Sequence, residues 1–213
     1  MPADEAPGAQ PAPFHYPEFR STDAAQIAAI IRAFPLALVV SESDGTAYAS
    51  HLPLIWPDES AHLVGHTDAR NPQFRGPGSV EARLFFCGPQ SYVPKDAYVT
   101  RQLPTWNYVS VHMAARIEVV DAPAAKLQIL AQTAALLDGK QAAATFAGQE
   151  ERVRQLLPHI TGLKIHVRHQ EARIKLSQDK SLQNQRAALD HLVAMQGVGI
   201  RPFLERLMDG GTR

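Results

Sequence analysis

The chain predicts an α+β fold in which antiparallel strands close into a barrel, with helices at its ends and inserted between strands. Three features carry this. Apolar residues recur at helical spacing near the start, after residue 123 and at the end, while the stretches between alternate or run apolar at strand length. Tight turns containing Gly and Pro join the strands, so the βα alternation of a doubly wound sheet is missing. A Gly-rich dinucleotide fingerprint and a phosphate-binding P-loop are both absent.

The elements follow in order. Ser21 or Thr22 is placed to cap a first helix whose Ile27, Ile30, Ile31 and Phe34 fall at i, i+3, i+4 and i+7, and Pro35 ends it. Residues 36–40 read as a short buried strand, Asp44-Gly45 as a hairpin turn, and 46–56 as a second strand. A third strand, 62–66, leads into a polar loop over 67–78. Residues 80–87 form another strand, which Gly88-Pro89 is expected to break, leaving 90–103 irregular. A long strand spans about 105–120. A helix over 123–137 follows, with Leu127, Leu130, Ala134 and Leu137 on one face, then an amphipathic piece over 149–157 that stops at Pro158. Extended patterns at 163–167 and 172–176 precede helices near 182–195 and 202–208. The expected organisation is a disordered lead-in at 1–13, a domain at 14–196 and a C-terminal helical extension at 197–213.

Composition removes several function classes. The 21 Lys and Arg balance 21 Asp and Glu, and without a basic excess or a helix-turn-helix pattern direct DNA reading is not expected. No apolar run approaches the roughly 20 residues that cross a bilayer. The N-terminus has neither a basic n-region nor an apolar h-region, so it does not read as a signal peptide and a cytoplasmic address is expected. One cysteine, Cys87, excludes an internal disulfide or a multi-cysteine metal site, and its apolar neighbours predict a buried, inert thiol. Among nine histidines, His62 and His66 would share a strand face and His166 and His169 would not. Neither pair has an acidic residue in its immediate window, so no metal site is expected. A Gly-x-Ser-x-Gly nucleophile elbow is missing.

Four polar clusters remain as candidate site residues. Ser50-His51-Leu52-Pro53 lies within the second strand, where a lone histidine is more often structural than functional. Gly65-His66 with Arg70-Asn71-Pro72-Gln73-Phe74-Arg75 offers amides, guanidinium groups and backbone N–H groups suited to a phosphate, although spacing alone favours a solvated loop. Pro104-Thr105-Trp106-Asn107-Tyr108-Val109-Ser110-Val111-His112 crowds Trp106, Asn107 and His112 into one strand. Lys175-Leu176-Ser177-Gln178 sits where a strand gives way to a helix. Together these suit a planar, phosphorylated ligand with apolar walls and a cationic end.

Read in order, Ser50-His51-Leu52-Pro53-Leu54, Gly65-His66 with Asn71-Pro72-Gln73, Gly88-Pro89 with Ser91-Tyr92-Val93, Leu103-Pro104-Thr105-Trp106-Asn107-Tyr108 with Val111-His112, and Lys175-Leu176-Ser177-Gln178 resemble the PaiB-type proteins, usually labelled FMN-binding negative transcriptional regulators. The resemblance spans about residues 16–195. It implies an FMN-binding split barrel, similar to the pyridoxamine-phosphate oxidase and flavin-reductase class, working as a homodimer with FMN at the subunit interface. On that basis Ser50, His51 and Leu52 look like flavin-ring contacts, and His66, Arg70, Asn71 and Gln73 like the ribityl and phosphate side. Trp106, Asn107, Lys175, Ser177 and Gln178 would come from the partner subunit or line the substrate face. The chain departs from the pattern at Phe74, where Trp is common, and at Asp179-Lys180, where Asn-Arg is usual.

The function expected is that of an FMN protein, redox-active on a small molecule, with His51, His66 or His112 as proton donors. Regulation through a partner protein or a metabolite is the alternative, haem in place of flavin is another, and a flavin-free scaffold is the blandest.

Overall fold

The computed structural model describes residues 16–57, 60–75, 78–139, 141 and 150–209; the expected lead-in at 1–13 lies outside them. The strands are β1 (Arg20–Ser21), β2 (Leu36–Ser43), β3 (Thr46–Ile55), β4 (Leu63–Asp68), β5 (Ser79–Val93), β6 (Thr105–Val120) and β7 (Ile160–Lys175). The helices are α1 (Ala24–Ala33), α2 (Pro123–Leu137), α3 (Glu150–Leu156), α4 (Leu182–Gln196) and α5 (Arg201–Asp209). All strand pairings are antiparallel, in the order β1-β7-β4-β3-β2-β5-β6, and β6 also pairs with β7, which closes the sheet on itself.

The ring is uneven. Long β6 pairs with both β5 and β7 over most of its length, whereas β3 and β4 share only Leu54↔Gly65 and Ile55↔Val64. β7 takes β4 along its first half and β1 at Ala172 and Arg173. Gly65 is what lets the short pairing form. A Cβ there would stand 2.5 Å from Leu54 Cδ2 and 2.7 Å from the Pro53 carbonyl oxygen, so only a residue without one fits.

Alternation along each strand aims one set of side chains inward. Val39, Leu54, Leu63, Leu84, Phe86, Val111, Ile117, Leu163 and Ile165 form one buried cluster with Ile27, Ile30 and Ile31 of α1. Burying those three isoleucines contributes roughly 5–9 kcal/mol before chain entropy is counted. The C-terminal extension belongs to the same core. Phe203, Leu204 and Leu207 of α5 join the cluster, the Phe203 ring meets Phe34 edge-on at 5.5 Å, and Gln26 Nε2 donates to the Leu207 carbonyl at 3.1 Å. Helix α2 covers the outside of β4, with Ile129 packed on Val64, Ile55 and Val120.

Four expectations need correction. Asp23, not Ser21 or Thr22, caps α1; its carboxylate accepts from Ala25 N at 2.7 Å and Gln26 N at 3.1 Å. Gly88-Pro89 does not end the strand: β5 runs on to Val93 through a register shift between Cys87 and Gln90, a bulge being one of the few sheet positions proline tolerates. The segments at 163–167 and 172–176 are one strand, with a register shift at Arg168 between them. Cys87 is exposed, because it faces outward between inward Phe86 and the bulge. The Asp44-Gly45 turn is as expected, both residues taking positive φ (51° and 73°) between the paired Ser43 and Thr46.

Candidate functional site

On one side, beyond Leu54 and Ile55, β3 has no strand partner along Thr46–Pro53 among the described residues. Leu54 N donates to the Pro35 carbonyl on the β2 side. Alternation therefore aims the N–H and C=O groups of Ala49 and His51 at the open edge. Facing it is the loop after β4. Asn71 caps the short 3-10 turn Pro72–Phe74 by accepting from Gln73 N at 3.1 Å. Its Nδ2 donates to Ser50 Oγ at 3.0 Å and to Thr67 Oγ1 at 3.1 Å. The structure thus brings together Ser50 and Asn71, two residues 21 apart in sequence, and adds Thr67, which no sequence motif had singled out.

The other candidates on this side divide. His51 is exposed on the outer sheet face, whereas Leu52 points inward and is part of the core. Gln73 is buried, and its Nε2 donates to the Val39 carbonyl at 3.1 Å and Ser41 Oγ at 3.0 Å; its Oε1 is buried with no hydrogen-bond partner. Arg70 is held in a fork by Asp68 (3.0 and 2.8 Å), and this bond, with the Arg70 backbone N–H, keeps the Asp68 carboxyl far below its usual range. His66 occupies the face of β4 that carries Val64, beneath α2, away from Thr67 and Asn71. Burial pushes its pKa down, and its Nδ1 is buried without a partner.

The remaining candidates meet at the far end of β6 and β7. Asn107 is fully buried; its Nδ2 donates to Ser177 Oγ at 3.0 Å, and Ser177 Oγ donates to its Oδ1 at 3.1 Å. The Tyr98 and Ser177 hydroxyls share a 3.2 Å hydrogen bond. This net holds Ser177 at φ 64°, a left-handed conformation that costs a non-glycine residue roughly 1–3 kcal/mol. Gln178 accepts from Leu176 N at 2.6 Å and donates to the Ile174 carbonyl. Lys175 Nζ donates to Thr105 Oγ1 at 2.7 Å. Asn107, Ser177 and Gln178 therefore direct their polar atoms into the protein's own frame. Trp106 is half-exposed on the outer face, its indole N–H donating to Gln90 Oε1 at 3.1 Å. Among the described residues no group of three His, Cys, Asp or Glu side chains is placed to hold a metal ion, and no helix is long and apolar enough to cross a membrane.

The family described as "Putative FMN-binding domain" matches residues 14–169, and the chain belongs to it. The antiparallel split-barrel fold and this membership make the chain an FMN-binding protein. Over 106 residues it is 32% identical to "Protease synthase and sporulation protein PAI 2" of Bacillus subtilis (strain 168), the match covering 48% of this chain and 51% of that protein. The chain thus spans about half the length of this curated relative. Among solved structures it is similar to the FAD and heme binding protein from Mycobacterium smegmatis (TM-score 0.59, 20% identity, 84% of this chain and 80% of that one). It is also similar to the flavocytochrome Anf3 from Azotobacter vinelandii (TM-score 0.55, 16% identity, 79% and 75%). The family match includes Ser50, Asn71 and Trp106 and stops before Lys175.

Proposed function

We propose that the chain is a cytoplasmic, homodimeric flavoprotein that holds FMN beside the open edge of β3 and is redox-active on a small molecule. The observation that carries this is the unpartnered stretch of β3, with Ser50 tied to Asn71 beside it, inside the span that matches the FMN-binding family. Exposed backbone N–H and C=O groups on a fixed strand suit the polar edge of a flavin ring, and Ser50, Asn71 and Thr67 add side-chain polar groups next to them. FMN supplies the redox chemistry when bound, and the protein's part is to bind, orient and shield it. The outer face of β2, β5 and β6, with exposed Leu36, Tyr92 and Trp106, is apolar enough to meet a second copy.

The test is reconstitution with FMN, removal of excess by gel filtration, and a visible spectrum of the eluted protein. A retained two-band flavin spectrum near one FMN per chain, at the elution volume of a dimer, is the expected result. An intense Soret band from the purified protein would move the site to haem, and no retained chromophore would sink the flavoprotein reading. A second reading, regulation through a partner protein or a consumed metabolite, is favoured by the likeness to a Bacillus subtilis protein named for protease synthesis and sporulation. Balanced charge supports a route that bypasses direct DNA reading.

A further inference from the structure

Sequence spacing sets His62 beside His66, whereas the strand registers bring it to a different histidine. One step beyond the Leu63↔Ile165 pair of β4 and β7, His62 stands across from His166. Leu63 and Ile165 point into the core, so alternation turns both histidines to the outer face. Their ring centroids are 5.6 Å apart, with the planes inclined by 36°. Two imidazoles on one tetrahedral zinc ion, with Zn–N bonds of about 2.0–2.1 Å, have ring centres about 5 Å apart. The pair therefore stands near the separation of a chelate.

Both histidines are held from behind. His62 N donates to Ser60 Oγ at 3.2 Å, the same hydroxyl donates to the His62 carbonyl at 2.8 Å, and the Ser60 carbonyl accepts from Trp56 Nε1 at 3.0 Å. These bonds fix the turn that delivers His62 to β4. His166 lies within β7, opposite Arg116 of β6, and its Nε2 stands 3.0 Å from Glu118 Oε2. An ionised carboxylate only accepts, so in the neutral ring Nε2 carries the proton and Nδ1 keeps its lone pair. A carboxylate on one ring nitrogen is the usual companion of a histidine that binds a metal through the other. Lys164 and Arg116 flank Glu118, which offsets only one of their charges. A hard cation such as calcium would find no cage of oxygens here, whereas imidazole nitrogens suit a borderline transition metal.

We infer that His62 and His166 form a two-histidine chelate for a divalent transition metal of the zinc class, with Glu118 orienting His166 and water filling the remaining positions. The two ligands come from neighbouring strands, so the metal clamps the start of β4 to β7. Only two residue pairs join β4 to β3, and β4 owes its place mainly to β7, which pairs with it from Leu63 to Asp68. A clamp at this end strengthens that attachment. The inference stands apart from the flavoprotein reading, because neither histidine is assigned to the flavin.

The experiment is calorimetric titration of the untagged full chain at neutral pH, with zinc chloride and separately with calcium chloride. Saturable binding of about one zinc per chain, with no response to calcium, is the expected result. His62→Ala and His166→Ala should each abolish it at the same concentrations, and Glu118→Gln should weaken it by about tenfold. Urea unfolding without metal checks that each variant folds. With zinc present the midpoint should rise in the wild type and stay in place in both histidine variants. In the unaltered chain, side-chain NMR signals of His62 and His166 should shift together as zinc is added. Absence of zinc binding by the wild type overturns the inference. Loss in one histidine variant alone overturns it too, because a lone imidazole would then be the ligand. Binding that neither variant alters lies at another histidine, and an equal response to calcium is a charge effect; either result also overturns it.

Discussion

Asn71 joins three pieces of chain with one side chain: it caps the turn that follows, and it donates to Ser50 of β3 and Thr67 of β4. Asn71→Ala removes the cap and both donated bonds, so a loss of about 1–2 kcal/mol in urea unfolding is expected, together with weaker FMN retention. Unchanged FMN affinity in a destabilised variant would make Asn71 a structural cap and nothing more. Glu171 is the other residue on which several depend. Glu171→Gln leaves the Arg173 and Arg20 guanidiniums facing a neutral amide in a largely buried setting, an expected loss of roughly 2–4 kcal/mol. Part of Arg20 reaches solvent, which favours the lower end; a loss below about 0.5 kcal/mol, the scale of an ordinary surface substitution, would show that water replaces the carboxylate. At this scale the sequence was partly legible. Local motifs pointed to Ser50 and Asn71, but they could not show that Gln73, Asn107 and Ser177 spend their polar atoms on the chain's own frame. Glu171 was not among the candidate residues, since an acid among mixed charges looks ordinary until the strand registers are known.

The elements themselves were more legible than their joints. Helical spacing fixed α1, α2, α4 and α5 to within a residue or two, because an apolar stripe at period 3.6 has little other use. The errors fall where a strand bends. Gly88-Pro89 reads as a break because both residues disrupt a ladder, yet β6 and its pairing on both sides carry β5 through a bulge. β1, two residues long, has no periodicity to detect and exists through its pairing with β7. The weak joint between β3 and β4 is where element and site meet. Gly65→Ala would push a methyl group against Leu54 and the immobile Pro53 carbonyl, opening one of only two residue pairs that join these strands. The expected effect is a loss of about 1–3 kcal/mol, with FMN retention falling more than in a core variant of equal instability. If retention tracks stability alone, the open edge of β3 is not where flavin binds.

Taken as a whole, the molecule should be less tolerant of acid than its balanced charge suggests: His62, Asp68 and Glu118 are also shifted down but lie nearer solvent, and the two more deeply buried groups, His66 and Glu171, dominate the windows. His66, beneath α2, is held neutral by burial, so its pKa in the folded protein lies below the ordinary 6.5. Between those values the unfolded chain binds more protons than the folded one, so stability is complete above about pH 6.5 and declines as pH falls through the folded value. Burial pushes the Glu171 carboxyl up, but the hydrogen bond and charge of Arg173, with Arg20 behind it, outweigh this and hold it below the ordinary 4.5. The sign is the same: its contribution is present above about pH 4.5 and disappears as the carboxyl is protonated. Two successive losses are therefore expected, one starting just below neutrality and one in the acid range. Urea midpoints measured from about pH 7 to about pH 3 would resolve them in the wild type. His66→Gln, which cannot take up the proton, should flatten the first decline and leave the second in place. An unchanged first decline in that variant would assign it to another histidine and leave the buried, unpaired Nδ1 of His66 without a part in acid sensitivity.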